Sequence, residues 1–295
     1  MINISIVVYN QFYSEIASII RESIKAECVR HIYIIDNSTT YNEVLANFEG
    51  ITYIYNNKNL GYGPGHNIAI KKTIQEGVKY HLVLNPDIYF ESEALEILQH
   101  FMDNNEDVGL LNPLIKYKDG STQYLCKLLP TPLGLAYRLI SPVRSWLKAS
   151  NHRYELRFTG YNKTMDVASL SGCFMLLRTS VVAKTGSFDE RFFMYCEDVD
   201  LCRRIGTVSR TVFYPEASIV HYYSKGSYKN LRLLRFHIVS AFKYFTKWGW
   251  FFDKDRRKIN SETLKRLGYK SRNIVADDGI LAPMPNNKKD EALVS

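Results

Sequence analysis

The chain has 295 residues, of which 46% are hydrophobic and 23% charged, a composition typical of a folded globular protein that excludes a disordered chain. Its apolar runs are short, and none is long enough to cross a bilayer. The formal net charge of +8 is concentrated in residues 225–272, which hold 14 Lys and Arg side chains against three acidic ones. Such a block attracts polyanions, namely an anionic membrane surface or a nucleic acid.

The first residues of the chain and its cysteines indicate a compartment. The opening residues, MINISIVVYN, form a strand-like run with no basic segment before it, so we expect no signal peptide. The five cysteines form no CxxC pair, which predicts reduced thiols and argues against a zinc cluster. Together these features predict a cytoplasmic protein.

The first 90 residues alternate between strand and helix patterns. The predicted strands are Ile4–Val8, His31–Ile35, Ile51–Tyr55 and His81–Leu84, and the predicted helices are Ser14–Ala26 and Asn67–Glu76. This order predicts an α/β fold with a mostly parallel central sheet between layers of helices. Ligands of such sheets bind beyond the carboxyl ends of the strands. Those ends carry Tyr9-Asn10, Asp36-Asn37 and Asn85-Pro86-Asp87.

The second half of the chain is less regular. Residues 116–163 hold nine basic against two acidic side chains, and we interpret them as a basic excursion that covers the acceptor side of the site. Strand patterns return at Asp166–Arg178, Thr211–Tyr214 and Ser218–Val220, with a helix starting near Glu197. The predicted organisation is a main domain at 1–225, a basic amphipathic helical region at 226–272 and a disordered tail at 273–295.

A glycine-rich motif spans residues 59–67, which read NLGYGPGHN. Glycines let the backbone pass close to a ligand, and the N-terminus of the helix that follows offers N–H groups to an anion. The spacing is not that of a dinucleotide-binding fingerprint, and no P-loop GK[ST] is present. On these residues alone, a phosphate-binding loop and an ordinary glycine-rich turn stay equally open.

Three further features carry acids or histidine. The turn Asn85-Pro86-Asp87 has an oxygen ligand for a divalent cation, although Asn-Pro is also a common turn dipeptide. Residues 188–204, FDERFFMYCEDVDLCRR, place five acids among apolar side chains, where a carboxylate gains the basicity of a general base. Caps and salt bridges to Arg203 or Arg204 would account for others of these acids. His221 follows an apolar run and is by itself more often structural.

Taken in order, these motifs resemble the bacterial family-2 glycosyltransferases, most closely their rhamnosyltransferase-like branch. The motifs that carry the resemblance, over about residues 3–250, are Tyr9-Asn10, Asp36-Asn37-Ser38, NLGYGPGHN, LNPD, SGCFM, FDERFFMYCEDVDLCRR and His221. The resemblance implies a GT-A fold and inverting transfer from a nucleotide-sugar donor in the synthesis of a bacterial surface polysaccharide, O-antigen or capsule. It favours L-rhamnose from dTDP-rhamnose, with a UDP-hexose or UDP-galactofuranose as alternative donors, and a glycan or lipid-diphosphate-linked glycan as acceptor.

The resemblance also assigns roles to individual residues. Asp198 matches the catalytic general base, and Glu197 is its neighbour. Asp87 matches the last acid of a DxD metal motif and His221 a later metal-binding histidine, for Mg²⁺ or Mn²⁺. Asn85 stands where the family has its first acid, so a single carboxylate contacts the metal. The residues that match donor-binding positions are Tyr9, Asn10, Asp36, Asn59, Gly61, Asn67, Asn85 and Asp87.

Three competing functions are less well supported by the residues. A sugar nucleotidyltransferase needs a basic, glycine-rich loop near its N-terminus, and residues 1–12 have none. A non-catalytic descendant is expected to have lost Asp87, Asp198 and His221. The basic block carries no nucleic-acid-binding signature beyond charge and aromatic residues, so we expect no nucleic-acid partner.

The basic block also shows the spacing of an amphipathic helix. Its apolar residues recur three or four apart, at Leu231, Leu234, Ile238, Phe242, Phe245, Trp248 and Phe252. With Lys and Arg beside this stripe, the pattern predicts peripheral binding to the anionic inner face of the cytoplasmic membrane. A core helix packed on the main domain is the alternative.

Overall fold

The computed structural model describes residues 1–140, 150–222 and 231–270, and these contain a central sheet with helices on both faces. The strands are β1 (Ile2–Val8), β2 (Val29–Asp36), β3 (Thr52–Tyr55), β4 (Tyr80–Leu84), β5 (Ile88–Tyr89), β6 (Val108–Lys116), β7 (Met165–Asp166), β8 (Phe174–Arg178) and β9 (Arg210–His221). The α-helices are α1 (Tyr13–Lys25), α2 (Glu43–Ala46), α3 (Tyr62–Gln75), α4 (Glu93–Asn104), α5 (Pro132–Ile140), α6 (Thr179–Thr185), α7 (Glu197–Ile205), α8 (Leu231–Trp248) and α9 (Lys254–Arg266). A 3₁₀ helix spans Arg157–Thr159.

The described strands form one sheet in the order β3-β2-β1-β4-β8-β6-β9-β5, with β7 paired to β9. Strands β1, β2, β3, β4, β6 and β9 run in one direction, whereas β5, β7 and β8 run in the other. The prediction of a mostly parallel α/β sheet is therefore confirmed. Because β8 is reversed, its first residue, Phe174, lies at the edge where the neighbouring strands end.

Strand β1 shows why helices cover both faces of the sheet. Successive side chains of a strand point to opposite faces. Ile2, Ile4 and Ile6 belong to a core shared with apolar residues of α1 and α4. Asn3 and Ser5 point to the opposite face, beneath α3, and they are also buried. Every residue of β1 up to Ile6 is therefore inside the protein, as its near-continuous apolar pattern predicts.

A buried polar network joins β1, α3 and β4. The Ser5 hydroxyl lies 2.7 Å from His66 Nδ1 and 2.8 Å from His81 Nε2, and the Thr73 hydroxyl lies 2.7 Å from His81 Nδ1. Burial lowers the pKa of His81 to about 3 and holds the pKa of His66 well below its usual range. Both imidazoles are therefore neutral at physiological pH.

Several predicted boundaries differ from the structure. Helix α3 begins at Tyr62, five residues before the predicted start, because Gly61 at φ +95° ends the preceding loop and a proline is tolerated in a first helical turn. Strand β9 runs unbroken through both predicted strands, with an irregular register opposite Pro113 and Leu114. The predicted strand 166–178 is split into β7 and β8. All five cysteines are buried free thiols, as predicted.

Backbone hydrogen bonds hold the first part of the basic excursion to the segment before β8 and to the later part of the excursion. The Lys127 backbone N–H donates to the Ser169 carbonyl at 2.8 Å, and the Leu128 N–H donates to the Tyr154 carbonyl at 3.0 Å. The excursion is described at residues 116–140 and 150–163, and it contains α5 and the 3₁₀ helix. Its predicted role as a cover for the acceptor is not tested by these contacts and stays a prediction.

The C-terminal helices are fixed to α7 by buried charges. Asp200 is fully buried and lies 2.6 Å from Lys247 Nζ, and it accepts a hydrogen bond from Trp248 Nε1 at 2.8 Å. Arg203 donates two hydrogen bonds, of 2.6 and 2.7 Å, to the carboxylate of Asp253, and both side chains are almost wholly buried. A paired and hydrogen-bonded charge tolerates such burial, whereas an unpaired one does not.

The predicted apolar stripe of α8 divides between two environments. Phe245 is buried in a cluster with Phe192, and Trp248 packs against that cluster, so the core-helix alternative is correct for this part. Ile238 and Phe242 are exposed, and Phe252 beyond the helix is 92% exposed. Among the described helices, none has the length and apolar character that a membrane span requires. The predicted tail, 273–295, lies outside the described residues.

Candidate active site

Most of the residues predicted to form the site lie along one edge of the sheet. This edge holds the carboxyl ends of β1, β2, β4 and β9 and the amino end of β8. In chain order it carries Tyr9, Asn10, Asp36, Asn85, Asp87, Gly172 and His221. Helix α7, with Glu197 and Asp198, begins beside it, because Gly172 contacts Asp198.

The first group of site residues lies between the ends of β1 and β2. Asp36 is buried, and its carboxylate accepts hydrogen bonds from the Tyr53 hydroxyl at 2.6 Å and from the Ser38 N–H at 2.8 Å. The Asn10 N–H donates to the Ser38 hydroxyl at 2.7 Å, which ties the two strand ends together. A carboxylate has about four acceptor positions. Asp36 therefore keeps acceptor capacity, and Tyr9, which follows the last residue of β1, is exposed.

The second group brings Asp87 and His221 into contact. Asp87 Oδ1 lies 3.3 Å from His221 Nε2, and the other ring nitrogen, Nδ1, lies 3.0 Å from Gln123 Oε1. Burial lowers the pKa of His221, but its contacts with Asp87 and with Cys173 raise it to about 10. Burial raises the pKa of Asp87, yet its contacts with His221 and Asn85 hold that pKa below its ordinary value.

These residues fit a divalent cation, although the described part of the chain contains no cluster of three His, Cys, Asp or Glu side chains suited to a metal. Asp87 Oδ1 is buried and accepts no well-aligned hydrogen bond from the described residues, and the charged group nearest to it is His221 Nε2, 3.3 Å away. Gln123 holds the His221 ring from its far side, as hydrogen-bond partners of metal-binding histidines do. Mg²⁺ is commonly held by one or two protein ligands together with substrate phosphates and water.

The third group is the pair of acids at the start of α7. Asp198 is half-buried, and its carboxylate accepts hydrogen bonds from the Gly172 N–H at 3.1 Å and from the Val199 N–H at 2.8 Å. Burial raises the pKa of Glu197 well above its ordinary value, and the neighbouring Asp198 raises it further. The two acids thus have different environments: Glu197 is buried and favours its protonated form, whereas Asp198 is half-buried and accepts two backbone hydrogen bonds.

The backbone before these acids is strained. Tyr195 and Cys196 have φ values of +71° and +65°, in the left-handed region that residues with a Cβ seldom adopt. Each such residue costs about 1–3 kcal/mol and persists where the surrounding structure enforces it, often at active sites. The Tyr195 ring stacks on His237 of α8, with ring centres 4.7 Å apart, so α8 helps to hold this turn.

The glycine-rich motif packs against protein rather than forming an open anion cradle. A Cβ at Gly61 would lie 2.4 Å from the Phe193 carbonyl oxygen, one at Gly63 would lie 2.8 Å from Phe188, and one at Gly65 would lie 2.9 Å from Val7. The first N–H of α3 donates to the Phe193 carbonyl at 2.8 Å. The expectation that this helix offers its N–H groups to an anion is therefore wrong for that first group.

Two predicted donor-binding residues have structural roles here. The Asn59 side chain accepts a hydrogen bond from the Gly61 N–H at 2.9 Å and shapes the turn. Asn67 is buried, its amide nitrogen donates to the Phe188 carbonyl at 2.9 Å, and its amide oxygen accepts from the Phe188 N–H at 3.0 Å. The direct donor contact predicted for Asn67 is thus corrected to a contact that attaches α3 to the segment before α7.

Sequence analysis missed several residues of this site. Tyr62 stands among the acids, donates its hydroxyl to the Gly172 carbonyl at 2.6 Å, and has a pKa raised by burial and by the nearby acidic groups. Gly172 and Tyr62 were both part of motifs quoted above, so their motifs were a signal for them. Gln123 and Lys127 had no such signal, because they lie in the irregular excursion.

The chain is similar in sequence to a known protein family and to proteins of known activity. A family model described as glycosyl transferase family 2 matches residues 4–186. A Mycobacterium tuberculosis protein, N-acetylglucosaminyl-diphospho-decaprenol L-rhamnosyltransferase, is 30% identical over 177 residues, which are 56% of each chain. The Escherichia coli rhamnosyltransferase WbbL is 25% identical over 242 residues, 78% of this chain and 87% of that protein. The chain therefore spans little more than half the length of the first relative.

Solved structures support the same architecture. A structure of GalNAc-T7 with UDP, GalNAc and Mn²⁺ superposes with a TM-score of 0.53 at 14% identity, and covers 75% of this chain and 44% of that one. At this identity the likeness concerns the fold alone. The GT-A-like fold expected from the sequence is confirmed.

Proposed function

Because this chain belongs to glycosyl transferase family 2, we propose that it is an inverting glycosyltransferase that moves L-rhamnose from dTDP-rhamnose to a hydroxyl of a glycan or a lipid-diphosphate-linked glycan. Rhamnose is favoured because the Mycobacterium tuberculosis and Escherichia coli relatives are rhamnosyltransferases. The same reaction with a UDP-hexose or UDP-galactofuranose is the alternative. The process that we propose for this reaction is the synthesis of a bacterial surface polysaccharide in the cytoplasm.

One observation carries the proposal. Asp87 and Asp198 both lie next to a short segment at the amino end of β8. Asp87 has an oxygen that accepts no well-aligned hydrogen bond from the described residues, and Asp198 accepts one from the Gly172 N–H. The Asn85 N–H donates to the Cys173 carbonyl at 2.9 Å, so the Asp87 turn is attached to that same segment. In this proposal, the turn assigned to the donor diphosphate and the acid assigned as the base are therefore both attached to residues 172–173.

Asp198 is the general base in this mechanism. Its carboxylate takes the proton from the acceptor hydroxyl while that oxygen attacks the anomeric carbon from the face opposite the leaving diphosphate. Glu197, which favours its protonated form, leaves Asp198 without a second negative charge at its side. The Gly172 N–H and the short loop before β8 keep the Asp198 carboxylate in place.

The residues on the Asp87 side of the site are assigned to the leaving group. Asp87 and His221, with Asn85 beside them, would hold Mg²⁺ or Mn²⁺, which when bound neutralises charge on the diphosphate. Tyr9, Asn10 and Asp36 are assigned to the nucleoside end of the donor, with the pyrimidine base against the Tyr9 ring and its single N–H donating to Asp36.

The experiment that tests the function is a screen of nucleotide sugars by thermal shift, with and without Mn²⁺. A ligand that binds only the folded state raises its stability by mass action, by about 2.7 kcal/mol at a hundredfold excess over Kd. We expect dTDP-rhamnose to give the largest shift and slow hydrolysis of the bound donor to release dTDP. The absence of a shift and of hydrolysis for every nucleotide sugar would refute the proposal.

We extend the proposal to the membrane surface, with a narrower contact than the sequence suggested. The exposed aromatic residues at the end of α8 form a patch of Phe242, Trp250, Phe251 and Phe252, and the rings of Phe242 and Trp250 lie 5.2 Å apart. Exposed Lys254 stands next to this patch in the chain, at the start of α9. Aromatic side chains at headgroup depth with lysines beside them are typical of peripheral binding to anionic lipid.

Two basic residues of the block predicted to bind lipid, Lys247 and Arg256, are instead internal. Lys247 pairs with Asp189 and Asp200, and Arg256 is buried, where it donates to the Trp250 carbonyl at 2.8 Å. Charge reversal at either position would therefore disrupt the fold and could not report on lipid binding.

The test is co-sedimentation with vesicles of phosphatidylglycerol and phosphatidylcholine. A Phe251→Ser, Phe252→Ser double variant and a Lys254→Glu, Lys258→Glu double variant should both lose binding to anionic vesicles, since each basic residue contributes about 1 kcal/mol. Val208→Ser is the matched control, because Val208 is exposed in the turn before β9, at the opposite edge of the sheet. Undiminished sedimentation of the two double variants would remove the membrane surface from the proposal.

A further inference from the structure

Two cations of the basic excursion, Lys127 and Arg138, have no anionic partner among the described residues. Lys127 is half-buried and forms no ion pair with the described residues. The Arg138 guanidinium lies 3.5 Å over the ring of Tyr154, and its buried Nη2 has no hydrogen-bond partner within the described part. A buried cation without a partner is costly, so a pair of them needs an explanation.

The backbone places these cations on the Asp198 side of the site. Lys127 pairs with Ser169, and three residues later Gly172 donates to the Asp198 carboxylate, so one short segment links the lysine to the base. The Leu128 N–H donates to the carbonyl of Tyr154, which brings the ring under Arg138 next to Lys127.

The charges that act on Lys127 agree with this placement. Burial lowers its pKa, but Tyr154, Asp198 and Glu155 raise it more, and Arg138 opposes them. The pKa of His237 on α8 is lowered by burial and by both cations, while Asp198 raises it. Lys127 and His237 thus share the influence of Asp198, which agrees with a place for the two cations on the Asp198 side of the site.

The acids nearby do not satisfy these cations. Glu155 accepts a hydrogen bond from Arg157 Nε at 2.7 Å, and Asp198 is engaged by two backbone N–H groups. Within the described part of the chain, no nearby carboxylate is therefore left to pair with Lys127 or Arg138. Phosphate oxygens are the groups that Lys and Arg bind most readily through charge-assisted hydrogen bonds.

We propose that Lys127 and Arg138 form a phosphate-binding subsite for the acceptor, so that the acceptor is a sugar joined to a phosphate or diphosphate and not a neutral glycan. This rests on the proposed function and adds to it a recognition of the acceptor's own phosphate next to the hydroxyl that reacts. Bound there, the phosphate neutralises the two cations and fixes the acceptor sugar against Asp198.

The probe is geranyl diphosphate, with geraniol as its neutral counterpart, titrated by calorimetry in metal-free buffer. Lys127→Gln and Arg138→Gln should each raise the Kd of geranyl diphosphate about tenfold or more, which corresponds to about 1.4 kcal/mol. Lys127→Arg should keep the affinity, and geraniol should bind all variants alike. Lys163→Gln is the matched control, because Lys163 is exposed in the same excursion.

Two further readouts separate this proposal from others. Because Lys127 forms no ion pair with the described residues, Lys127→Gln should change the melting temperature little, whereas the loss of a structural residue would lower it clearly. The stabilisation by dTDP or UDP with Mn²⁺ should be the same in Lys127→Gln as in the wild type. If nucleotide stabilisation falls, the cations serve the donor, and the subsite is refuted.

Other outcomes are also decisive. Equal affinity of the wild type for geranyl diphosphate and geraniol, or unchanged affinity in both glutamine variants, would overturn the subsite. If diphosphate binding depends on Lys127 and Arg138 but no nucleotide or nucleotide sugar stabilises the wild type, the subsite stands and the proposed function fails. The two ideas can therefore fail separately.

Discussion

Lowering the pH from 7 to 5 should weaken the fold through the buried histidines beneath α3. His81 is fully buried, and burial lowers its pKa to about 3, against about 6.5 in an unfolded chain. Between these two values the unfolded state binds a proton that the folded state does not. The stabilising contribution is therefore complete above about pH 6.5 and is lost progressively as the pH falls toward 3.

The size of the effect follows from the two pKa values. For one histidine with these values, the free energy of unfolding falls by about 2 kcal/mol at pH 5 and by about 3 kcal/mol at pH 4, relative to pH 8. His66 adds to the loss in the same direction, because burial depresses its pKa as well. Since small domains are stable by only about 5–15 kcal/mol, this is a measurable fraction.

Urea unfolding followed by circular dichroism at pH 7 and pH 5 measures the loss. A His81→Gln variant should be less stable at pH 7 but should show a difference between the two pH values smaller by about 2 kcal/mol, because glutamine does not titrate. His100→Gln is the control, since His100 is exposed on α4. If His81→Gln and the wild type lost equal stability between pH 7 and pH 5, the reasoning about His81 would be refuted.

Three further predictions concern the site. Asp198→Asn should lower the turnover of transfer about 10²-fold or more with the donor-induced thermal shift retained, and wild-type turnover would remove Asp198 as the base. Excess EDTA should abolish transfer, and Asp87→Ala and His221→Ala should each raise the Mn²⁺ concentration needed for half-maximal rate; full activity in EDTA contradicts this. Gly61→Ala should destabilise the protein by about 2 kcal/mol or more, because φ is +95° and the new Cβ meets the Phe193 carbonyl. Gly77→Ala, where φ is +65° and no atom lies within 4 Å, measures the backbone cost alone, and equal losses would deny the clash.

The edge that carries the site could be predicted because it depends on local patterns. Alternating strands and helices fix the direction of β1, β2 and β4, and parallel strands bring their carboxyl ends together. The reversed strand β8 leaves no such mark, since its apolar residues look the same in either direction. For that reason the contacts of Gly172 with Asp198 and Tyr62, which join parts of the site, could not be foreseen.

Adjacent acids show a second limit of sequence analysis. Asp198 and Asp200 are two residues apart, and two steps of about 100° in a helix place them on different sides. Only the packing of α8 decides that Asp200 is buried against Lys247, while Asp198 remains half-exposed. The apolar stripe of α8 has the same ambiguity, because spacing alone does not say which of its residues meet a neighbour.

The ion pairs between α7 and the C-terminal helices bear on where the chain may be cut. The family match ends at residue 186, yet Asp200 and Arg203 find their partners at Lys247 and Asp253. A truncation after residue 225 would leave one buried carboxylate short of its lysine and one buried guanidinium without its carboxylate, and breaking such pairs costs about 3–5 kcal/mol each. Residues 231–266 thus belong to the same cooperative unfolding unit as α7, and a protease that cleaves after α8 would also loosen the helix that carries Asp198.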